Sequence, residues 1–208
     1  DSLDRSIYHL FFEQRYKDKH YIESVLKPTS LANVSLLPAT TSLATLERQV
    51  SGQDGMGLVV ARTLAQLWDD YDYALIDTPP ILGVLLVNAL AACQRLVVPT
   101  QTEHLAMKGL ERMVHTLKMV MRSQNRQLPY LIVPTLFDRR TSASVTTLKE
   151  MRRTYVESLW DEAIPVDTRL RDASHEGVFP HQMDPDTRGV RAYRHLLNIL
   201  DMSEDAHA

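Results

Sequence analysis

One cysteine, Cys93, is all this chain contains, so no internal disulfide framework can form and a reducing compartment suits it. Its place in the apolar run 89–93 reads as a small buried side chain rather than a reactive thiol. No stretch approaches the roughly 20 apolar residues of a membrane span. Residues 81–92 come nearest and contain Asn88. Charge of one sign is also lacking. Against 26 acidic residues stand 23 Lys and Arg, a net −3, so binding to nucleic acid or an anionic membrane needs a local patch. The eight histidines have no metal-ligand spacing: His104 and His115 do not share a helix face, and His175 and His181 have no cysteine nearby. Gly-x-Ser-x-Gly is absent, which removes support for hydrolase-triad chemistry. A Gly-rich loop ending in Gly-Lys-Ser/Thr is absent too. The chain opens Asp-Ser-Leu-Asp-Arg, without a leader pattern, and the expectation is that its natural N-terminus lies upstream.

What is present is globular. With 208 residues, 44% apolar and 24% charged, the chain suffices for one domain, expected over residues 1–200 with a frayed tail at 201–208. Helical spacing is read at 5–14, 41–49, 58–70 (inner face Leu58, Ala61, Leu64, Ala65, Trp68) and 83–93. Further helices are read at 103–122 (Leu105, Leu110, Met113, Val114, Leu117, Met121), from Thr141 or Ser142 (Val145, Leu148, Met151, Tyr155), and at 188–200 (Val190, Tyr193, Leu196, Leu197, Leu200). Strands are read at 34–37, up to Asp77, at 95–99, 130–133 and 163–165, and residues 51–57 form a connector. Strands alternating with helices of this length predict an α/β fold, doubly wound around a mostly parallel sheet.

The decisive words are Tyr71-Asp-Tyr-Ala-Leu-Ile-Asp-Thr-Pro-Pro80. An apolar run ending in an aspartate and a proline-stiffened turn is how a buried parallel strand carries a carboxylate to the carboxyl ends of a sheet, where ligands gather. Around it stand Leu36-Leu-Pro-Ala39 with Leu46-Glu47, Leu82-Gly83 with Asn88-Ala-Leu90, and Val98-Pro-Thr-Gln101 with Glu103 and Gly109-Leu110. Phe137-Asp-Arg-Arg-Thr141, Ile164-Pro-Val-Asp-Thr-Arg-Leu-Arg-Asp-Ala173 and Gly189 with Ala192-Tyr193 complete the series.

In that order the words resemble the ParA/MinD group of P-loop ATPases, which use a deviant Walker A motif and position DNA or protein assemblies in bacterial cells. The last third is most similar to the branch that places chemotaxis arrays. The resemblance implies a P-loop NTPase sheet, here without its N-terminal strand and its Lys-Gly-Gly-x-Gly-Lys-Thr loop. That loop and the following strand would supply the phosphate cradle, both lysines, the magnesium-binding Thr and the water-orienting Asp, so this chain alone is expected to be inactive and poorly stable. It implies ATP and Mg²⁺ as cofactors of the complete protein, an ATP-dependent homodimer, a cargo or adaptor protein, and a bacterial cytoplasmic location at the nucleoid or a pole.

Residue by residue, the resemblance makes Asp77 the Walker B carboxylate, holding Mg²⁺ through a water, as suits a hard cation that keeps its waters. The plain alternative is a turn-capping aspartate. Thr78, Pro79 and Pro80 become either a switch segment sensing the γ-phosphate or a stiffened turn. Pro165, Val166 and Asp167 would line the adenine through their backbone, with Thr135 and either a pocket or a core role for Phe137. Gln101 and Glu103 fall near the nucleotide and dimer face, or Glu103 serves only the helix dipole. Arg140 and Arg169 fall where DNA-binding members carry arginines, and Arg139 and Arg171 would widen the patch. Against this, Asp138, Asp167 and Asp172 stand close enough to cancel much of the field. A membrane-cycling relative would need a basic amphipathic C-terminus, whereas 201–208 is acidic. The rival reading is a degenerate, non-catalytic scaffold of the same fold that binds a protein partner.

Overall fold

The computed structural model describes residues 5–50, 55–78 and 83–202, in two compact units, Asp1–Gln94 and Arg95–Ala208. In the first unit, α1 (Ile7–Phe12) starts at Ser6, whose amide donates to His9 Nδ1 at 3.1 Å. Helix α2 (Lys19–Val25) starts at Asp18, whose carboxylate accepts the Tyr21 amide at 3.1 Å. The strand read at 34–37 is shorter than expected: β2 (Ser35–Leu36) pairs antiparallel with β1 (Lys27–Pro28). Then come α3 (Ser42–Val50), a 3₁₀ turn at Met56–Leu58, α4 (Val59–Ala65) and α5 (Val84–Ala92). Leu10, Tyr21, Ile22, Val25 and Leu67 form one core cluster, and Phe11, Leu46, Val50, Met56 and Val59 another.

Asn88 ties this packing together from a fully buried position. Its amide nitrogen donates to the carbonyls of Met56 (2.7 Å) and Val84 (2.8 Å), and its oxygen accepts the Val60 amide at 3.1 Å. Buried amides are tolerated only when satisfied in this way. The inner face of α4 differs from expectation. Met56, Val59, Thr63 and Leu67 point inward, while Leu58 and Trp68 are exposed. The 3₁₀ turn at 56–58 advances the phase of the following helix, so the buried stripe lies one residue away from the one read off the apolar spacing. Cys93, expected to be buried, is only half-buried, at the C-cap of α5.

The second unit is built on a parallel pair, β3 (Leu96–Gln101) and β4 (Tyr130–Thr135), in register Leu96↔Tyr130 through Gln101↔Thr135. Helix α6 (His104–Ser123) makes the crossover between them. After β4 come α7 (Ser142–Thr154), α8 (Thr168–Glu176), α9 (Pro180–Met183) and α10 (Arg188–Met202). One core cluster joins Val98 and Ile132 to Met107, Leu110 and Val114 of α6 and Met151 of α7. The other joins Val133, Trp160 and Ile164 to Leu196 of α10, with Val97, Leu131, Ala192 and Ile199 packed against it. Both faces of the strand pair are therefore covered by helices, the doubly wound layering expected.

Several readings shift. Leu105 is 81% exposed and Met107 takes its place inside α6, because the helix starts at His104 and turns Leu105 outward. On α10, Tyr193 and Leu197 are exposed while Val190 and Leu196 are buried. The strand read at 163–165 reduces to a bridge between Phe137 and Pro165, with a second bridge between Ile132 and Leu159. Helix α8, not read from the sequence, is short and polar and leaves Ala173 as its buried residue, so it carries too weak an apolar stripe to be seen by periodicity.

Candidate functional site

The expected strand up to Asp77 does not form. Residues 73–78 take no regular secondary structure, Leu75 is 98% exposed, and Asp77 is exposed in the same stretch. A strand exists only where a neighbour supplies its ladder, and among the described residues β1–β2 and β3–β4 are the pairings between strands. Thr78 is half-buried, and Pro79 and Pro80 lie outside the described residues.

In the second unit the remaining residues converge. Beyond the carboxyl end of β4, Leu136 adopts a left-handed φ of 50°, which turns the chain away from the ladder. Phe137 then donates its amide to the Ile164 carbonyl (3.0 Å), and Val166 donates to the Phe137 carbonyl (3.0 Å). Ile164 donates to the Pro134 carbonyl (2.8 Å), and Thr102, just beyond β3, donates to the Thr135 carbonyl (3.1 Å). Thr135, Phe137, Pro165, Val166 and Asp167 thus lie together at the strand ends, each half-buried. Beneath them lies a lock that no motif or periodicity in the chain announces. Thr102 Oγ1 lies 2.5 Å from Ser144 Oγ, both residues buried, and Ser144 Oγ accepts the Asp138 amide at 3.1 Å. Glu103 is the N-cap residue of α6 but makes no side-chain cap bond.

Asp167 joins two helices. One carboxylate oxygen accepts the Arg169 amide (3.0 Å), capping α8, and the other accepts the Gly189 amide (2.8 Å) at the start of α10. The Gly189 amide first, and then that of Arg169, hold the Asp167 carboxyl below its ordinary range despite some desolvation. Gly189 leaves little room: a Cβ there would sit 2.7 Å from Leu170 Cδ1, the tip of a side chain that would have to shift, and 3.2 Å from Asp167 Cβ.

Asp138 is spent differently. Arg140 Nε and Nη2 donate to its two oxygens at 2.9 and 2.8 Å, a fork-to-fork pair, and the Arg140 amide also donates to Oδ1 at 3.0 Å. That guanidinium brings the Asp138 pKa down to about 2. Arg139, Arg169 and Arg171 are exposed, and so is Arg188, whose positive charge acts on both Asp138 and Asp167. Arg188 went unnoticed in the sequence because it stands some 50 residues along the chain from Asp138.

Among the described residues there is no cluster of three or more His, Cys, Asp or Glu side chains that could hold a metal ion, and no lysine-bearing phosphate loop. By themselves they do not fit the triphosphate end of a magnesium nucleotide, so no catalytic step is derived from them. No helix among them is long and apolar enough to cross a membrane.

A family model described as an AAA domain matches residues 1–130. The sporulation initiation inhibitor protein Soj of Bacillus subtilis is 31% identical over 185 residues, covering 88% of this chain and 71% of that protein. The chromosome partitioning protein ParA of Myxococcus xanthus is 30% identical over 194 residues, covering 93% and 67%. Among solved structures, cobyrinic acid a,c-diamide synthase from Mycobacterium smegmatis with bound ATP analog and magnesium superposes with a TM-score of 0.78 at 27% identity, covering 100% of this chain and 76% of that one. Its fold, a P-loop NTPase fold, is the one this chain shares. A parallel strand pair walled by helices, loops gathered at its carboxyl ends, and relatives of this extent together make the chain a member of the ParA/MinD-like family of P-loop ATPases.

Proposed function

We propose that the protein is an ATP-dependent, dimerising switch that positions or partitions DNA or chemotaxis protein clusters. The observation that carries this reading is the strand-end surface, where Thr135, Pro165, Val166 and Asp167 gather and the backbones of Arg140 and Arg169 are held by the neighbouring acids Asp138 and Asp167. On this reading, the Pro165–Asp167 loop and Thr135 serve as the adenine wall, and in the first unit Asp77 serves as the magnesium-side carboxylate while Thr78 and Pro79 respond to the terminal phosphate. Arg140 and Arg169 meet DNA phosphates, which a guanidinium fork suits. The partitioning role in the name of the Myxococcus xanthus ParA relative supports the same direction. A cargo or adaptor protein completes the cycle, in the cytoplasm at the nucleoid or a pole.

The first test is to read the coding sequence upstream of Asp1. An in-frame Lys-Gly-Gly-x-Gly-Lys-Thr supports the switch; its absence favours the non-catalytic scaffold. In the protein that carries the loop, Asp77→Ala abolishes Mg²⁺-dependent ATP turnover, and undiminished turnover refutes the assignment. Replacing Arg140 and Arg169 together with Glu weakens DNA retention at low salt, and unchanged retention in a gel-shift titration removes them from the surface.

A further inference from the structure

Resting on that DNA reading, we infer that Asp138 is a built-in competitor for phosphate at Arg140. The surface then meets DNA through Arg169 and engages Arg140 fully only when its guanidinium leaves the Asp138 carboxylate. The Nε/Nη2 edge of Arg140, which a phosphate would take as a two-point contact, is occupied by Asp138 at 2.9 and 2.8 Å. The two partners differ in freedom. The Arg140 side chain is 80% exposed and that of Asp138 only 22%.

Asp138 is anchored on every side. Its amide donates to Ser144 Oγ, its carbonyl accepts the Thr141 amide (3.1 Å) and hydroxyl (3.2 Å), and Oδ1 accepts the Arg140 amide. The backbone that carries the carboxylate is held, and the carboxylate is the less exposed partner, so the guanidinium is the part with room to leave. Asp167, the other acid here, is not an equivalent competitor, because its oxygens accept the Arg169 and Gly189 amides. The positive charge of Arg188 acts on both carboxylates through space and favours their ionised form.

The test is Asp138→Asn, which keeps an oxygen for the Arg140 amide and removes the charge. Binding of a short random-sequence duplex is followed by fluorescence anisotropy across a salt series, with and without Mg-ATP, alongside unfolding curves confirming that each variant folds. An exposed ion pair is weak, so the expected gain at low salt is about two- to fivefold. The salt slope should steepen by about 0.9, as one more phosphate is neutralised. Arg140→Ala should cost little in the native background and erase the gain in the Asp138→Asn background, and this non-additivity is the signature. No gain, or a gain that survives Arg140→Ala, overturns the inference, the latter because it reports only a distant charge effect. Duplex retained by the native protein and lost on Arg169→Glu, without response to Asp138→Asn, leaves the DNA reading standing and removes the competitor. Duplex retained by neither the native protein nor Asp138→Asn removes both.

Discussion

Residues 73–77 and 130–135 are both short apolar runs that begin at a tyrosine and finish in a polar residue, yet their surroundings are opposite. In the second, Ile132 is 0% exposed, paired through β4 to β3 and bridged to Leu159. In the first, Leu75 is 98% exposed and the chain is irregular. An apolar run is therefore only an offer to form a strand. The ladder and the two covering layers decide whether it becomes one, because backbone amides and apolar side chains gain nothing until a partner takes them out of water.

The sharpest way to break this contrast is a pair of truncations. Ile132→Ala should destabilise the second unit by about 2–5 kcal/mol, the range for emptying a closed core site. Leu75→Ala should change stability by less than about 0.5 kcal/mol, as exposed positions do. Urea unfolding of both variants checks this, and a comparable loss at Leu75 would mean that 73–78 is packed in solution. Next in size is Asn88→Ala, which orphans the Val60 amide and the Met56 carbonyl in the first unit. Its cost should be about 2–4 kcal/mol, seen also as faster hydrogen exchange at Val60.

A smaller effect sharpens the picture of the second unit. Gly189→Ala must push Leu170 and Asp167 aside, at roughly 1–3 kcal/mol by thermal unfolding. Asp167→Ala, which removes the α8 cap and the bond to Gly189, should cost about 1 kcal/mol.

The least of these effects is a pH dependence. Both Asp138 and Asp167 have folded pKa values below their unfolded ones. Their stabilisation is thus complete above the unfolded carboxylate range and is lost as pH falls through the folded values, about 2 for Asp138. Acid titration of stability between pH 4 and 2 should flatten in Asp138→Asn, and an unchanged curve would show that the Arg140 pair does not persist in solution.

The amino-acid order alone was enough for the layering, the positions of α6, α7 and α10 and the family, since apolar spacing and ordered motifs are local properties. It also marked Thr135, Pro165, Val166, Asp167, Arg140 and Arg169 as worth locating. Tertiary structure alone decided which acid does what: Asp138 grips an arginine, while Asp167 caps one helix and anchors another. It also set the phase of α4, added Ser144 and Thr102 to the strand ends, and left Asp77 on a stretch without regular secondary structure. Those outcomes depend on which distant segments meet, and a residue's partner across 40 or 50 positions is fixed by packing rather than by its neighbours in the chain.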